Sequence, residues 1–380
     1  MPKAFCIVGG GMVGAAAAIG LAQQGHNVTL IEAHMPAPFA PEQAPDMRVS
    51  AISLASQHLL DKLQAWESVL QMRSCPFQRL AVWEDPVCRT EFSATELGVS
   101  HLGHIVENRL VQLALHQALR AYSNVEWVTD TSFKHIDSCT QRVTLANGKS
   151  LAYDVLLGAD GARSAVRQQA GIGTTGWQYQ QQALAILVKV PEPAEDITWQ
   201  QFRPEGPLAF LPLYDGYASL VWYDSPAKVA SLKQLNRVQL AAEVTSHFPA
   251  ALPPIEVLEC ASFPLTRMHA QRYVKQRVVL LGDAAHTINP LAGQGVNLGF
   301  RDVQALLAAF EAQADVDQAL RDYEKQRRFD NALMMTGMDV LYAGFSNQQP
   351  LLKGLRNAGL WLAERLPLAK RRALKYALGV

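Results

Sequence analysis

The first 32 residues contain three apolar segments, which differ in length and in the spacing of their apolar positions. Phe5–Val8 is a continuous apolar run typical of a buried strand, and it ends at three consecutive glycines. Met12–Gln24 is an almost uncharged helical segment that Gly25 closes, because glycine readily takes the left-handed conformation after a helix. Asn27–Ile31 is the next predicted strand. Strand, turn, helix and strand in this order predict the start of an α/β fold.

The same stretch could also be a targeting segment or a short membrane span. Phe5–Ala22 carries no charged residue over 18 positions, and Lys3 precedes it. Glycines interrupt the apolar run, however, and the many Gly and Ala residues keep its mean hydropathy low for a span. We therefore expect a cytoplasmic protein.

The glycines of the first turn have the spacing of a dinucleotide-binding loop. The first allows the tight turn, the second lets the backbone approach a pyrophosphate, and the third lets the helix pack closely on the sheet. The helix N-terminus then offers free N–H groups to phosphates, and an acid at the end of the second strand can accept hydrogen bonds from ribose hydroxyls. The residues predicted for these roles are Gly9, Gly11, Met12, Val13, Gly14 and Glu32.

Two later segments favour FAD over a simple nicotinamide site. Tyr153–Arg167 (YDVLLGADGARSAVR) and Arg277–Gly299 (RVVLLGDAAHTINPLAGQGVNLG) each contain a buried-looking strand, a glycine-containing turn and a helix start. A second anion-receptive turn far along the chain suits FAD, whose isoalloxazine lies far from its adenosine, and its backbone N–H groups could stabilise a reduced, anionic ring. The predicted cofactor contacts are Asp160, Gly161, Gly282, Asp283, Gly293, Gln294, Gly295, Val296 and Asn297.

Strands rich in aromatic and aliphatic residues fill the interval between these two segments. Ala183–Val190, Trp199–Arg203, Leu208–Leu213 and Tyr217–Tyr223 have this composition. Large side chains here are predicted to line a substrate pocket, although strand alternation should place about half of them in ordinary core. The predicted wall residues are Phe202, Phe210, Leu211, Trp222 and Tyr223.

These patterns together predict a Rossmann-like FAD-binding domain with an inserted antiparallel-sheet substrate domain and a helical C-terminus. The FAD-binding parts are expected at residues 1–73, 101–176 and 265–340, the substrate parts at 74–100 and 177–264, and a basic helical segment at 341–380.

Charge is balanced over the whole chain and unbalanced at its end. Lys plus Arg and Asp plus Glu both number 34, which gives no global sign of nucleic-acid binding. Residues 351–380 nevertheless hold seven basic side chains and one acidic one, and Leu355, Gly359, Leu362 and Leu366 have helical spacing. Such a segment could rest on an anionic bilayer or an acidic partner, or it could pack on the protein with a solvated basic face. The five scattered cysteines are expected to be free thiols, with no zinc spacing among them.

The glycine and aspartate motifs carry a resemblance to a known family. GGGMVG with Glu32, GADGARSAVR and GDAAHTINPLAGQGVNLG resemble the fingerprints of class A FAD-dependent aromatic hydroxylases, which have the para-hydroxybenzoate hydroxylase fold. The last motif is most similar to the ubiquinone-biosynthesis branch. Five further stretches resemble the members of that branch that hydroxylate demethoxyubiquinol: DMRVSAIS, VENRL, TWQQFRPEGPLAFLPL, LVWYDSP and MDVLYAGFS. Ala33 departs from the family, where many relatives carry a basic residue, so an adenosine-phosphate contact is in doubt.

The resemblance implies a reaction and several residue roles. It implies FAD as cofactor, NAD(P)H as reductant and O₂ as cosubstrate, with oxygen passing from a flavin C4a-hydroperoxide to the ring of a polyprenylated benzoquinol. It places Arg48 at the flavin or its phosphates and Arg109 near the pyrophosphate. His286 is a proposed proton-relay group with a structural loop histidine as the alternative, and Pro290 is expected to shape the loop over the flavin.

Other functions stay open at this stage. The nearest alternatives are another ring hydroxylation of the same pathway or a small-phenol hydroxylase. A flavin-dependent prenyl reductase would use the same cofactor without consuming O₂, and a silent scaffold would keep the fold without the reaction. The expected partners are the quinol, other ubiquinone-biosynthesis proteins and, through the basic C-terminal segment, the inner face of a membrane.

Overall fold

A computed structural model describes residues 1–191, 196–289, 293, 295–347, 349, 353–354, 356–359 and 365–379. Strands and helices are numbered in chain order. The helices are α1 Met12–Gln23, α2 Leu54–Lys62, α3 Trp66–Met72, α4 Asn108–Leu119, α5 Ala165–Gln169, α6 Pro226–Leu232, α7 Arg237–His247, α8 Gly295–Ala312, α9 Val316–Phe345 and α10 Pro367–Leu378.

The first sheet has six strands, five of them parallel, and α1, α4 and α8 supply helices to its core. Its order is β18 (Val274–Lys275), β19 (Val278–Leu280), β12 (Val155–Gly158), β1 (Ala4–Val8), β2 (Asn27–Glu32) and β8 (Val125–Thr129). Only β18 runs antiparallel to its neighbour. The apolar runs after which the two later motifs were predicted are β12 and β19, so their carboxyl ends lie beside that of β1.

The second sheet has eight strands and is mostly antiparallel. Its order is β20 (His286–Thr287), β17 (Glu256–Ala270), β13 (Thr174–Lys189), β16 (Tyr217–Asp224), β15 (Leu208–Pro212), β14 (Ile197–Gln201), β5 (Arg79–Trp83) and β6 (Thr90–Ser93). Helices α6 and α7 cover one face, where they bury an apolar cluster of their own. The other face packs toward β3 (Val49–Ser53) and α10.

Two three-stranded sheets complete the described fold. The first has the order β3, β7 (Gly103–Glu107) and β4 (Cys75–Phe77), and the second has the order β11 (Ser150–Ala152), β10 (Arg142–Leu145) and β9 (Phe133–Asp137). The prediction of an α/β fold with an antiparallel sheet and a helical C-terminus is confirmed. Among the helices of the described residues, none combines the length and apolar character that crossing a bilayer requires.

The C-terminal segment packs on the protein. Leu374 and Leu378 of α10 are buried against the face of the second sheet that looks toward β3. Lys370 is buried and pairs with Glu96 at 2.9 Å, and Arg356 pairs with Glu84 at 2.6 Å. Two of the seven basic side chains therefore serve ion pairs within the protein, while Arg371, Arg372 and Lys375 remain exposed. Of the four residues predicted to form an apolar stripe, Leu355 and Leu362 lie outside the described residues, and Gly359 and Leu366 are exposed.

Candidate functional site

The turn after β1 has the backbone geometry that its glycines predict. Gly9 has φ +102°, and a Cβ there would lie 2.4 Å from the carbonyl oxygen of Ala159. A Cβ on Gly14 would lie 1.9 Å from the carbonyl oxygen of Gly9, so α1 can approach the strand only without one. A Cβ on Gly11, the N-cap of α1, would meet no atom of the described chain within 4 Å. The helix N-terminus therefore opens onto free space, which is where phosphates bind.

Met12 and Val13 form the first turn of α1, and Glu32 closes the turn from the side of β2. Its Oε2 accepts a hydrogen bond from the N–H of Gly10 at 2.7 Å, and its Oε1 accepts one from the N–H of His34 at 2.8 Å. His116 and Gln112 hold the other side of Gly10 through its carbonyl oxygen, at 2.6 and 3.0 Å. These two residues of α4 were not among the predicted ones, because nothing in the local sequence links them to the turn.

The second motif stands beside this turn. Asp160 accepts hydrogen bonds through Oδ2 from the N–H groups of Ala165 and Val166, at 2.7 and 3.1 Å, and so caps α5. Its Oδ1 is buried and has no hydrogen-bond partner among the described residues. Gly161 follows with φ +79°. A buried carboxylate oxygen without a donor is costly unless a ligand hydroxyl or water completes it.

Two glycines of the third motif pack against Val13 of the first motif. A Cβ on Gly282, which has φ +56°, would lie 3.2 Å from Cγ2 of Val13, and one on Gly299 would lie 2.6 Å from the same atom. Asp283 follows and is accessible to water, but the protein atoms packed around its carboxyl partly desolvate it and so raise its pKa. The charges of His286 and Arg48 oppose this rise, so both lie near enough to Asp283 to act on it. The side chain of Arg48 is exposed, and its predicted contact with the flavin or its phosphates stays a prediction.

A buried aspartate that the sequence did not reveal supports this third motif. Asp302 on α8 is fully buried, and burial acts to raise the pKa of its carboxyl, but the charges of His286 and Arg327 dominate and lower it to about 2. Its Oδ2 accepts from Nε2 of His286 at 2.6 Å and from the N–H of Gly282 at 3.0 Å. Its Oδ1 accepts from Nε of Arg327 at 2.8 Å and from Nδ2 of Asn331 at 3.0 Å. Asp302 therefore ties the motif to α9.

His286 is positioned by this network. Its ring is 1% exposed, and its plane stacks on that of Tyr273 with centroids 5.9 Å apart. Its Nε2 is engaged by Asp302, and this contact is the kind that a structural loop histidine makes. A catalytic role for His286 stays a prediction.

The N-terminal end of α8 is held by Asn297. Its Oδ1 accepts from the N–H of Ser53 and the hydroxyl of Ser56, and its Nδ2 donates to the carbonyl oxygens of Ala51 and Gly293. All four hydrogen-bonding positions of the amide are used within the protein, so the backbone of Asn297 is the part left to contact a cofactor, and that contact stays a prediction. Gly293 has φ +63°, Gly295 begins α8, and Val296 packs against the core of the first sheet. Pro290 and Gln294 lie outside the described residues.

Arg109 is engaged by the loop after β2. Its guanidinium forms a two-point pair with Asp46, at 2.8 and 3.2 Å, and donates to the carbonyl oxygens of Ala37 and Pro38, both at 3.0 Å. The observed role of this side chain is to fasten the loop that follows Glu32. A contact between Arg109 and the pyrophosphate stays a prediction.

Strand alternation divides the predicted substrate wall. Phe210 and Trp222 point to the face that α6 and α7 cover, where Phe210 stacks on Trp199 at 5.5 Å. They are core residues of that face, which corrects their assignment to the pocket wall. Leu211 and Tyr223 point to the opposite face. Phe202, just after β14, stacks on Phe345 of α9 with centroids 4.1 Å apart.

The opposite face carries small side chains where its strands pair. Val221 on β16 pairs with Ala185 on one side and Ala209 on the other, and Ser219 pairs with Leu211. The same face packs toward Ala51 of β3, and Ala51 lies beside Gly293. Only large side chains were predicted to line the pocket, so these small ones were not among the predicted residues.

The comparisons with known proteins agree with this geometry. A family model described as an FAD binding domain matches residues 3–336. The 3-demethoxyubiquinol 3-hydroxylase of Escherichia coli (strain K12) is 49% identical over 387 residues, which covers 100% of this chain and 99% of the relative. The chain belongs to the FAD-dependent ubiquinone-biosynthesis hydroxylases.

Further relatives of this hydroxylase extend across kingdoms. The mitochondrial ubiquinone biosynthesis monooxygenase COQ6 of Xenopus tropicalis is 33% identical, and the alignment covers 98% of this chain and 92% of the relative. Among solved structures, the p-nitrophenol 4-monooxygenase PnpA from Pseudomonas putida DLL-E4 matches with a TM-score of 0.81 at 19% identity, over 100% of this chain and 98% of that one. That similarity shows the fold.

FAD, the cofactor of this hydroxylase family, fits the residues present. The open space before Gly11, the unpartnered Oδ1 of Asp160 and the accessible carboxyl of Asp283 are positions that a bound dinucleotide would satisfy. The N-terminus of α1 would hold the pyrophosphate and Glu32 the adenosine ribose. When bound, the flavin supplies the reaction with NAD(P)H and O₂ that side chains cannot perform.

Proposed function

We propose that this chain hydroxylates the ring of a polyprenylated benzoquinol, with demethoxyubiquinol as the substrate, NAD(P)H as the reductant and O₂ as the cosubstrate. The observation that carries the proposal is the end-to-end similarity at 49% identity to a relative named for that reaction. The local geometry supports it, because the residues of all three nucleotide motifs lie at adjacent strand ends, as an extended FAD requires.

In this proposal the chain binds, orients and keeps water out. Asp283 and Arg48 would hold the flavin, and Asp302 keeps Gly282 in place by accepting a hydrogen bond from its N–H. The quinol ring is assigned to the face of the second sheet that bears Leu211, where strand pairing sets the small side chain of Ala209 beside Val221. Excluding water there protects the reactive oxygen from wasteful decay.

The test is the quinone profile of cells that lack this protein. We expect demethoxyubiquinone to accumulate and ubiquinone to disappear, and a plasmid with the intact gene to restore both. Asp283→Ala on the same plasmid should fail to restore them, and the purified variant should carry less FAD. An unchanged ubiquinone level in the deletion strain contradicts the pathway assignment.

The same experiment separates the alternatives. A block at another ring position would accumulate a different quinone precursor. A prenyl reductase would leave the ring complete and the side chain unsaturated, and its purified form would consume no O₂ with substrate. Retained turnover of small phenols with no quinone phenotype would indicate a small-phenol hydroxylase, and full rescue by a variant that carries no FAD would indicate a scaffold.

Three finer points belong to the same proposal. The parts assigned to FAD are residues 1–73, 101–176 and 265–340, and the parts assigned to substrate are 74–100 and 177–264. The enzyme works in the cytoplasm, peripherally at the membrane that carries its substrate. Other ubiquinone-biosynthesis proteins are its expected partners, and nucleic acid is not.

A further inference from the structure

Helix α9 carries an exposed apolar stripe. Phe329, Leu333 and Val340 are 69%, 55% and 65% exposed, and they follow one another at helical spacing on one side of the helix. Gly337 and Gly344 continue the same side, so the stripe extends over about 22 Å at 1.5 Å per residue. Exposed apolar patches of this kind mark surfaces that contact another apolar phase.

No charged side chain of this part of α9 interrupts the stripe. Asp330 pairs with Arg327 at 3.1 Å, and Asp339 pairs with Arg267 at 2.6 Å and accepts from the hydroxyl of Tyr179. The Asp339 carboxylate is thus turned to neighbouring strands, whereas Asp330 pairs within α9 and is 48% exposed at the edge of the stripe. The stripe is left to apolar and small residues over four turns.

A basic face lies beside the stripe. Helix α10 buries Leu374 and Leu378 and presents Arg371, Arg372 and Lys375 outward, together with Tyr376, which is 53% exposed. Arg301 of α8 donates to the carbonyl oxygen of Tyr376 at 3.2 Å and fixes the end of this helix. A groove of about 560 Å³ between α8, α9 and α10 is lined by Leu333, Lys375 and Tyr376 among others, so the two faces adjoin.

We propose that the α9 stripe and the outward face of α10 form one surface that docks on an anionic lipid bilayer. Apolar side chains enter the interface between headgroups and acyl chains, while the adjacent cations stay with the anionic headgroups and the tyrosine lies at the boundary. A second copy of the chain fits less well, because a symmetric contact would set the three cations of each copy against each other.

The proposal deepens the proposed function and rests on it for its purpose, since a polyprenyl quinol resides in the bilayer. It assigns the apolar contact to α9, because the apolar side of α10 is already buried in the protein. Membrane contact therefore does not require the C-terminal helix to leave its place.

Vesicle co-sedimentation of the FAD-loaded full chain tests the surface. We expect sedimentation with vesicles of phosphatidylcholine and phosphatidylglycerol, and less with phosphatidylcholine alone. Arg371→Glu/Arg372→Glu should lower partitioning to the anionic vesicles by about tenfold or more. The matched control is Lys134→Glu/Lys149→Glu, which makes the same change in net charge on the small β9–β11 side of the molecule and should sediment as the unmodified chain does.

The apolar part is tested by Leu333→Ser/Val340→Ser, which should weaken binding to both kinds of vesicle about tenfold or more. These side chains are exposed, so FAD content and the unfolding midpoint should stay unchanged. Equal sedimentation of the charge-reversed, apolar and unmodified chains overturns the proposal. A change in oligomeric state without vesicles overturns it in favour of a contact between copies.

Turnover separates this proposal from the proposed function. Both surface variants should turn over a water-soluble short-chain quinol normally and a long-chain quinol in anionic vesicles slowly. If vesicle turnover is unaffected, the docking surface is wrong and the hydroxylase activity stands. If neither substrate reacts with any variant or with the unmodified chain, the proposed function itself fails.

Discussion

Replacing Asp302 by Asn isolates the charge at the centre of the network under the third motif. The change keeps the shape of the side chain and removes the negative charge that faces Arg327 at 2.8 Å. Leaving one partner of a buried ion pair without its counterion costs about 3–5 kcal/mol. An unmodified domain has only about 5–15 kcal/mol of unfolding free energy, so the variant should fold with a much smaller margin.

Urea unfolding followed by flavin release and far-ultraviolet circular dichroism measures this loss. At a urea dependence of about 2–3 kcal/mol per molar, the midpoint should fall by about 1–2 M. Asp330→Asn is the matched control, because Asp330 also pairs with Arg327 but its side chain is 48% exposed, and such pairs contribute about 0–1 kcal/mol. A midpoint for Asp302→Asn no lower than that of Asp330→Asn would refute the central role of the buried charge.

The pH dependence follows from the lowered pKa of Asp302. The ionised carboxyl stabilises the folded state, so its contribution is complete above the unfolded pKa of about 3.9 and is lost as the pH falls toward the folded pKa of about 2. The unmodified chain should therefore exceed Asp302→Asn in unfolding free energy by a constant amount between about pH 5 and 8. This difference should become smaller below about pH 4.

Three further outcomes are expected. Gly11→Ala should lower FAD content and leave the thermal stability of the apoprotein unchanged. Gly14→Ala should lower both, because only a Cβ at position 14 collides with protein atoms. Equal losses of stability in the two variants would contradict this. Iodoacetamide should label the exposed Cys139 of the native protein and spare Cys6, since burial raises the pKa of that thiol to about 12, and mass spectrometry of peptides reads this out. Trp222→Ala should cost about 3–5 kcal/mol of stability with little change in KM, and a large KM effect at normal stability would restore it to the pocket wall.

The nucleotide turn was predictable because its chemistry is local. Gly9, Gly11 and Gly14 follow one another within a single strand–helix junction, and Glu32 ends the next strand, so spacing alone placed them. The strands between residues 183 and 223 were foreseen from their composition, and the segments that hold β5 and most of β17 were assigned to the same domain, but the order of the strands in the sheet was not predicted.

The misses have a common physical origin in contacts between distant segments. Asp302 is one acid within a helix, and nothing near it in the chain shows that Arg327 and His286 surround it. Phe210 and Trp222 were assigned to the pocket because large side chains suggest walls, yet only the position of α6 and α7 decides which sheet face is covered. The ion pair between Lys370 and Glu96 likewise depends on how α10 packs against the rest of the protein.

The pairing of β1 with β12, and of β12 with β19, has a consequence for biosynthesis of the enzyme. Roughly 270 residues separate Gly9 from Asp283, and a ribosome that adds about 5–20 residues per second needs on the order of 15–50 s to cover them. Until then β1 lacks the strands that complete its sheet, and the turn after it lacks its opposite wall. A complete FAD site therefore requires that about three quarters of the chain has been synthesised, and flavin supply acts late in folding.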